Sequence, residues 1–291
     1  MRVRQALGCK TVLLLVVLSL VTVGCSRMNL AYRNLHLLIP WSLNDYLDMS
    51  GDQQKRFRAQ LRDHLSWHCR TQLPDYLRTL ERLQRQVNQG DVDQAALRAH
   101  YQDAKQAIHA IAVQITPTTT QLLRDLDDEQ VHDLNAALED DRREREQKYL
   151  QPPLDQQIRE RAERMRERVE QWMGSTHEAQ RQRILEWARA LGDQNRHWLA
   201  NRVQWQRALG DALTRRHEAG FSERVATLLQ DRESLWTPAY RAAFTRTEQA
   251  GISLFSDLYA LSDADQRRHL VAQLEALHKD LGSLDCLPEP R

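Results

Sequence analysis

The sequence predicts an all-α fold, an elongated array or bundle of about ten helices behind a short N-terminal leader. Three observations predict it. Apolar residues recur at spacings of three and four, runs of strict alternation are absent, and Gly, Pro and cap-like residues cut the chain into helix-length pieces.

The leader comes first. Arg2, Arg4 and Lys10 precede the apolar run Val12 to Val23, which Gly24-Cys25 closes. A charged stretch, a short apolar stretch and a small residue before Cys make up a bacterial lipoprotein signal over residues 1–24. Cleavage is expected after Gly24, with a diacylglyceryl group on the Cys25 thiol. An uncleaved span fits poorly, since the twelve-residue run would cover only ~18 Å of the roughly 30 Å hydrocarbon layer. Ser26 stands where Asp would favour inner-membrane retention in enteric-type sorting. The expected location is therefore the periplasmic face of the outer membrane, with the bilayer as first partner through the N-terminal lipid.

Residues 25–49 form a membrane-proximal helical segment. Leu30, Tyr32, Leu35, Leu37, Leu38 and Ile39 make it unusually apolar, Pro40-Trp41 is expected to end it, and Ser42-x-x-Asp45 to start a second short helix. It reads as the first core helix, because Asp45 and Asp48 follow at once. The alternative lays it on the bilayer, with Tyr32 and Trp41 at headgroup level.

The stripe Phe57, Leu61, Leu65, Cys69 marks the next helix. Pro74 suits the first turn of one carrying Leu77, Leu80, Leu83 and Val87, closed by Gly90. Ala96, Tyr101, Ala104, Ile108, Ile111 and Ile115 follow, until Thr116-Pro117 is expected to restart the chain. A charged helix begins near Asp128 and breaks at Pro152-Pro153. Later stripes are Ile184, Leu185 and Leu191; Trp198, Leu199, Val203, Leu209 and Leu213; and Val225, Leu228 and Leu229, with Gly174, Gly192 and Gly220 between segments. Thr237-Pro238 looks like a cap before a helix with Phe244, Leu254, Phe255 and Leu258, and the last helix carries Leu270 to Leu281 before Gly282. The double proline divides an N-terminal part, 50–151, from a C-terminal part, 152–291, unless 50–291 is one continuous domain.

Four helix starts share a pattern: Ser50-x-x-Gln53, Asp91-x-x-Gln94, Asp127-x-x-Gln130 and Ser262-x-x-Asp265. Good caps are reused in any helical protein. Two of the four, Met49-Ser-Gly-Asp-Gln53 and Leu126-Asp-Asp-Glu-Gln130, also resemble the Leu-Thr-x-x-Gln motif of small periplasmic chaperones of the Spy and CpxP type. A stronger resemblance lies in Leu30-Ala-Tyr-Arg-Asn-Leu-His-Leu-Leu-Ile-Pro-Trp-Ser-Leu-Asn-Asp-Tyr-Leu-Asp48, continuing through Ser66-Trp67-His68 and Thr71-Gln-Leu-Pro74. These residues resemble domain of unknown function 6279, an uncharacterised family of proteobacterial lipoproteins. The resemblance implies a helical, membrane-anchored periplasmic protein and carries over no catalytic residue.

Charge and cysteines bound the chemistry. The formal charge of +1 becomes about −2 once Arg2, Arg4 and Lys10 leave, so there is no basic excess for nucleic acid. Ten glycines, none in a phosphate-cradling loop, argue against nucleotide binding. Cys9 leaves with the leader and Cys25 carries lipid. Cys69 and Cys286 remain in an oxidising compartment as a possible disulfide, a single pairing whose distance the sequence leaves open.

His64 and His68, at i,i+4 on one helix face, are the candidate metal ligands. No third ligand can be named and no His-Glu-x-x-His is present, so no metal or other cofactor is expected. Trp198, Trp205 and Trp236 are the candidate binding surface: core packing accounts for most such residues, while a partly exposed Trp groove would hold a peptide, glycan or acyl chain. No nucleophile elbow occurs and Cys69 lies on an apolar face, so no catalytic residue is assigned. The sequence therefore reads as a membrane-anchored periplasmic lipoprotein that binds rather than catalyses, as scaffold or regulator of an envelope process with a protein partner. A holdase-like chaperone of the Spy type and an envelope hydrolase with an unrecognised site are the alternatives.

Overall fold

A computed structural model describes Tyr32, residues 34–284 and Cys286. Gly24 and Cys25 lie outside the described residues. The described part is all α: α1 (Leu35–Leu47), α2 (Gly51–Trp67), α3 (Leu73–Gln89), α4 (Gln94–Arg124), α5 (Asp128–Tyr149), α6 (Leu154–Met173), α7 (Glu178–Ala190), α8 (Gln194–Thr214), α9 (Phe221–Gln230), α10 (Pro238–Ala260) and α11 (Ala264–Gly282). A π-helical stretch, His68–Gln72, joins α2 to α3 and carries the buried Cys69, and a 3₁₀ turn, Arg232–Leu235, follows α9. None of the described helices is long and apolar enough to cross a membrane.

Most of the stripes pack together across the chain, although Ile108 and Phe255, each on a predicted stripe, are exposed. The largest core joins α1, α2, α4, α5, α8 and α9 around Leu126, Leu213, Phe221 and Val225. A second joins α6, α7 and α10 around Ile184, Ala188, Leu254 and Leu258, and a third seats Val87, Val92, Tyr259 and Leu274 between α3, α10 and α11. Helices from both sides of Pro152-Pro153 pack together, α9 and α10 against α4 and α11 against α3.

Two proline breaks are corrected. Residues 35–47 form one helix with Pro40 inside it, and α4 runs 31 residues through Pro117. A proline inside a helix costs ~3 kcal/mol because it removes one amide and crowds the preceding turn. Packing of Ile39, Leu43 and Leu47 on the largest core offsets that cost in α1. In α4 the orphaned carbonyl belongs to Val113, a residue on the exposed side within reach of water.

Two caps are corrected as well. Asp93, not Asp91, caps α4, its carboxylate accepting from the Ala96 amide at 2.8 Å. The box at α11 is Asp263-x-x-Gln266, one residue beyond Ser262-x-x-Asp265. A further box, His177-x-x-Gln180, opens α7.

The four boxes work in pairs. Gln53 Nε2 donates to Gln130 Oε1 at 3.1 Å and Gln130 Nε2 returns the bond to Gln53 Oε1 at 2.9 Å. Gln180 and Gln266 repeat the exchange at 3.0 and 2.9 Å. Each amide also donates to a backbone carbonyl before the other's box: Gln53 to Asp125, Gln130 to Leu47 and Asp48, Gln180 to Leu258, Gln266 to Ser175. The starts of α2 and α5, and of α7 and α11, are thus locked side by side through fully satisfied buried amides.

Candidate functional site

An apolar cavity of about 590 Å³ opens among the helices of the largest core. Its walls come from α1 (Leu35, Ile39, Leu43, Tyr46), α2 (Phe57, Leu61, His64, Leu65), α4 (Ile111, Ile115, Thr118, Thr119, Leu122), α5 (Leu134, Leu138), α8 (Arg202, Trp205, Leu209) and α9 (Leu228, Leu229). The sequence pattern explains why so many helices share it. Stripes at three and four aim branched side chains inward, but Thr118 and Thr119 place short side chains where a longer one would have filled space. The volume lies within the ~300–1,000 Å³ of small-molecule pockets.

Few polar groups break the apolar wall. His64 Nε2 meets Thr118 Oγ1 at 2.7 Å, while its Nδ1 is buried without a hydrogen-bond partner. Burial holds the His64 pKa below its usual value against a smaller opposing pull from Asp63. Nδ1 is enclosed within the wall, with no surface left to meet a molecule in the cavity. Arg202 also lines the cavity, but its guanidinium binds Asp141 at 2.6 Å, so its charge is already matched. Asp141 in turn is held as a carboxylate first by Arg145 and then by Arg202. The cavity therefore offers surface for a chain of methylenes rather than a cradle for an anion.

His68 occupies the end of the cavity nearest the disulfide. Its Nδ1 pairs with the Tyr32 hydroxyl at 2.9 Å and its Nε2 with the Tyr76 hydroxyl at 3.2 Å, and burial lowers its pKa too. His64 and His68 thus each face hydroxyl groups rather than one another. Among the described residues no group of three His, Cys, Asp or Glu is placed to hold a metal. Cys69 and Cys286 form a disulfide with Cα atoms 5.5 Å apart; Cys69 is buried against Leu73 and Leu284, while Cys286 is exposed.

The tryptophans are spread over three environments. Trp205 alone of the candidates lines the cavity, with Nε1 donating to the Leu228 carbonyl at 3.0 Å. Trp198 packs edge-on to Tyr149 under the Arg145 guanidinium. Trp236 belongs to a separate cluster with Tyr240 and Phe244. The cavity itself escapes sequence reasoning because six helices build it, although the unbroken face Leu35, Ile39, Leu43, Tyr46 was a local signal for its α1 wall.

A family model described as Family of unknown function (DUF6279) matches residues 45–241. No curated protein and no solved structure matches the chain.

Proposed function

The chain belongs to the DUF6279 family, whose function is unknown, and we propose from its own residues that it is a lipid-anchored envelope protein that acts by binding an acyl chain. The carrying observation is the cavity of about 590 Å³, walled mostly by Leu, Ile, Val, Phe and Trp side chains. The leader and Cys25 support the anchor and the periplasmic face of the outer membrane. Held there, a protein with an apolar cavity has acyl chains within reach, and loading the cavity gives a scaffold or regulator something to sense.

A fluorescent long-chain fatty acid titrated into the purified chain tests this. Saturable binding at one equivalent is expected, and Ile115→Trp, which fills the cavity from a half-buried wall position, should abolish it while the protein still melts cooperatively. Wild-type protein without saturable binding overturns the reading. For the anchor, Cys25→Ser should leave an uncleaved, unlipidated precursor by mass spectrometry.

A second reading, the holdase-like chaperone, draws on the paired boxes at Ser50-Gln53 and Asp127-Gln130, the two helix starts that resemble the Leu-Thr-x-x-Gln motif. It predicts suppression of aggregation of an unfolding client at near-equimolar ratio.

A further inference from the structure

Helix α1 is apolar on two sides. Leu35, Ile39, Leu43 and Tyr46 wall the cavity, while Leu37, Leu38 and Trp41 point away from the body at 59%, 45% and 69% exposure. Positions 37, 38 and 41 are i, i+1 and i+4, one continuous side of a helix. From Leu35 to Trp41 the chain has no Asp, Glu, Lys or Arg. The other large exposed apolar side chains of the described residues are scattered over α4, α6 and α10 and the turn after it. A helix apolar on both sides has both sides covered, and the body covers only one.

The chain upstream says what covers the other. Leu35 stands ten positions after Cys25, a stretch that reaches at most roughly 35 Å. If Cys25 carries lipid, as the anchor reading on which this inference rests requires, the exposed face is tethered within that distance of the bilayer. Such a tether turns weak interfacial affinity into stable contact. The residue types agree, since Trp prefers the headgroup level and the two leucines insert beside it. We propose that the Leu37, Leu38 and Trp41 face of α1 is seated in the membrane interface. Helix α1 is then the partition between the bilayer and the cavity, one side facing each.

The test uses full-length protein purified from membranes and reconstituted into phosphatidylethanolamine–phosphatidylglycerol vesicles, with plain or brominated acyl chains. Subtracting the emission of Trp41→Phe isolates Trp41 from the other tryptophans. Loss of most Trp41 emission in brominated vesicles, and its shielding from aqueous acrylamide, is the expected result. A Leu37→Asp/Leu38→Asp variant should lose that quenching with its melting temperature unchanged. Equal Trp41 emission in both vesicle types overturns the proposal, whether water, a second copy or another protein covers the face, and so does undiminished quenching in the double variant. The mass of the N-terminus, read on the same sample, judges the anchor separately. An unlipidated chain whose Trp41 is quenched supports the seat and fails the anchor; a lipidated chain whose Trp41 is unquenched does the reverse.

Discussion

Gln53 and Gln130 face each other amide to amide, each accepting its own N-cap amide and donating to a carbonyl before the other's helix start. Both side chains are buried, so a change at either strands several groups at once. Gln130→Leu leaves the Asp127 amide, the carbonyls of Leu47 and Asp48 and half of the Gln53 amide unpartnered. A cost of ~2–4 kcal/mol is expected, and a fall in melting temperature of roughly 4–8 °C for a chain of this size. The Gln53→Leu/Gln130→Leu double variant should cost clearly less than the sum of the singles, because the second change removes groups the first had stranded. Additive losses by thermal melting would show that the two amides act independently. The same cycle at Gln180 and Gln266 should give the same sign.

The disulfide closes a loop of 217 residues and pins the C-terminal segment, through Leu284 and Leu73, beside the His68 end of the cavity. Chain entropy assigns such a loop up to ~5 kcal/mol. Cys286→Ser, or reductant on the wild type, should therefore lower the melting temperature by several degrees. Melting that ignores both treatments would mean that the unfolded chain gains little freedom from the missing link.

Helix class was legible residue by residue, because a stripe such as Val225, Leu228 and Leu229 needs only its own segment to declare itself. The proline boundaries were not. Pro40 and Pro117 break local rules, and the energy that keeps their helices continuous comes from residues far away in sequence. The glutamine boxes at Ser50 and Asp127 could be read from capping chemistry, whereas the His177 box hid behind an unusual cap residue and the reciprocal pairing is invisible before the fold is known. The cavity is less legible still, being space left over where six helices fail to interdigitate. His64 and His68 keep their helical spacing, yet the Thr118 and Tyr76 hydroxyls that occupy them come from other helices.

Acid should destabilise the protein before its carboxylates titrate. His64, His68 and His100 all have pKa values pushed below about 6.5 by burial. For a base with a depressed folded pKa the unfolded state binds more protons between the two pKa values. Stability is therefore full above the unfolded value and declines as pH falls through it, levelling off only below the folded value. Asp263, lowered mainly by the Gln266 backbone amide, adds its loss further down, below the usual Asp range. Melting should hold from about pH 8 to 7 and drop as pH falls below about 6.5. His68→Gln should shrink the drop while costing some stability at neutral pH, since a Gln amide reaches the Tyr32 and Tyr76 hydroxyls less well. A flat profile in the wild type down to about pH 5 would contradict the buried neutral imidazoles.

The two sides of α1 make opposite predictions for neighbouring residues. Ile39 and Leu43 pack against the largest core, and Leu38, one residue away from Ile39, is 45% exposed. Leu43→Asp puts a carboxylate among apolar side chains and removes a partly buried aliphatic group, a change worth ~2–3 kcal/mol and several degrees of melting temperature. Leu38→Asp replaces an exposed apolar group with one that water prefers, and should leave melting within about a degree or raise it slightly. The contrast depends on α1 being one helix through Pro40, because a turn at Pro40 would rotate the residues after it onto a different face. Equal destabilisation by Leu38→Asp and Leu43→Asp would mean that α1 is buried all round. Equal indifference would detach it from the body and take the α1 wall of the cavity with it.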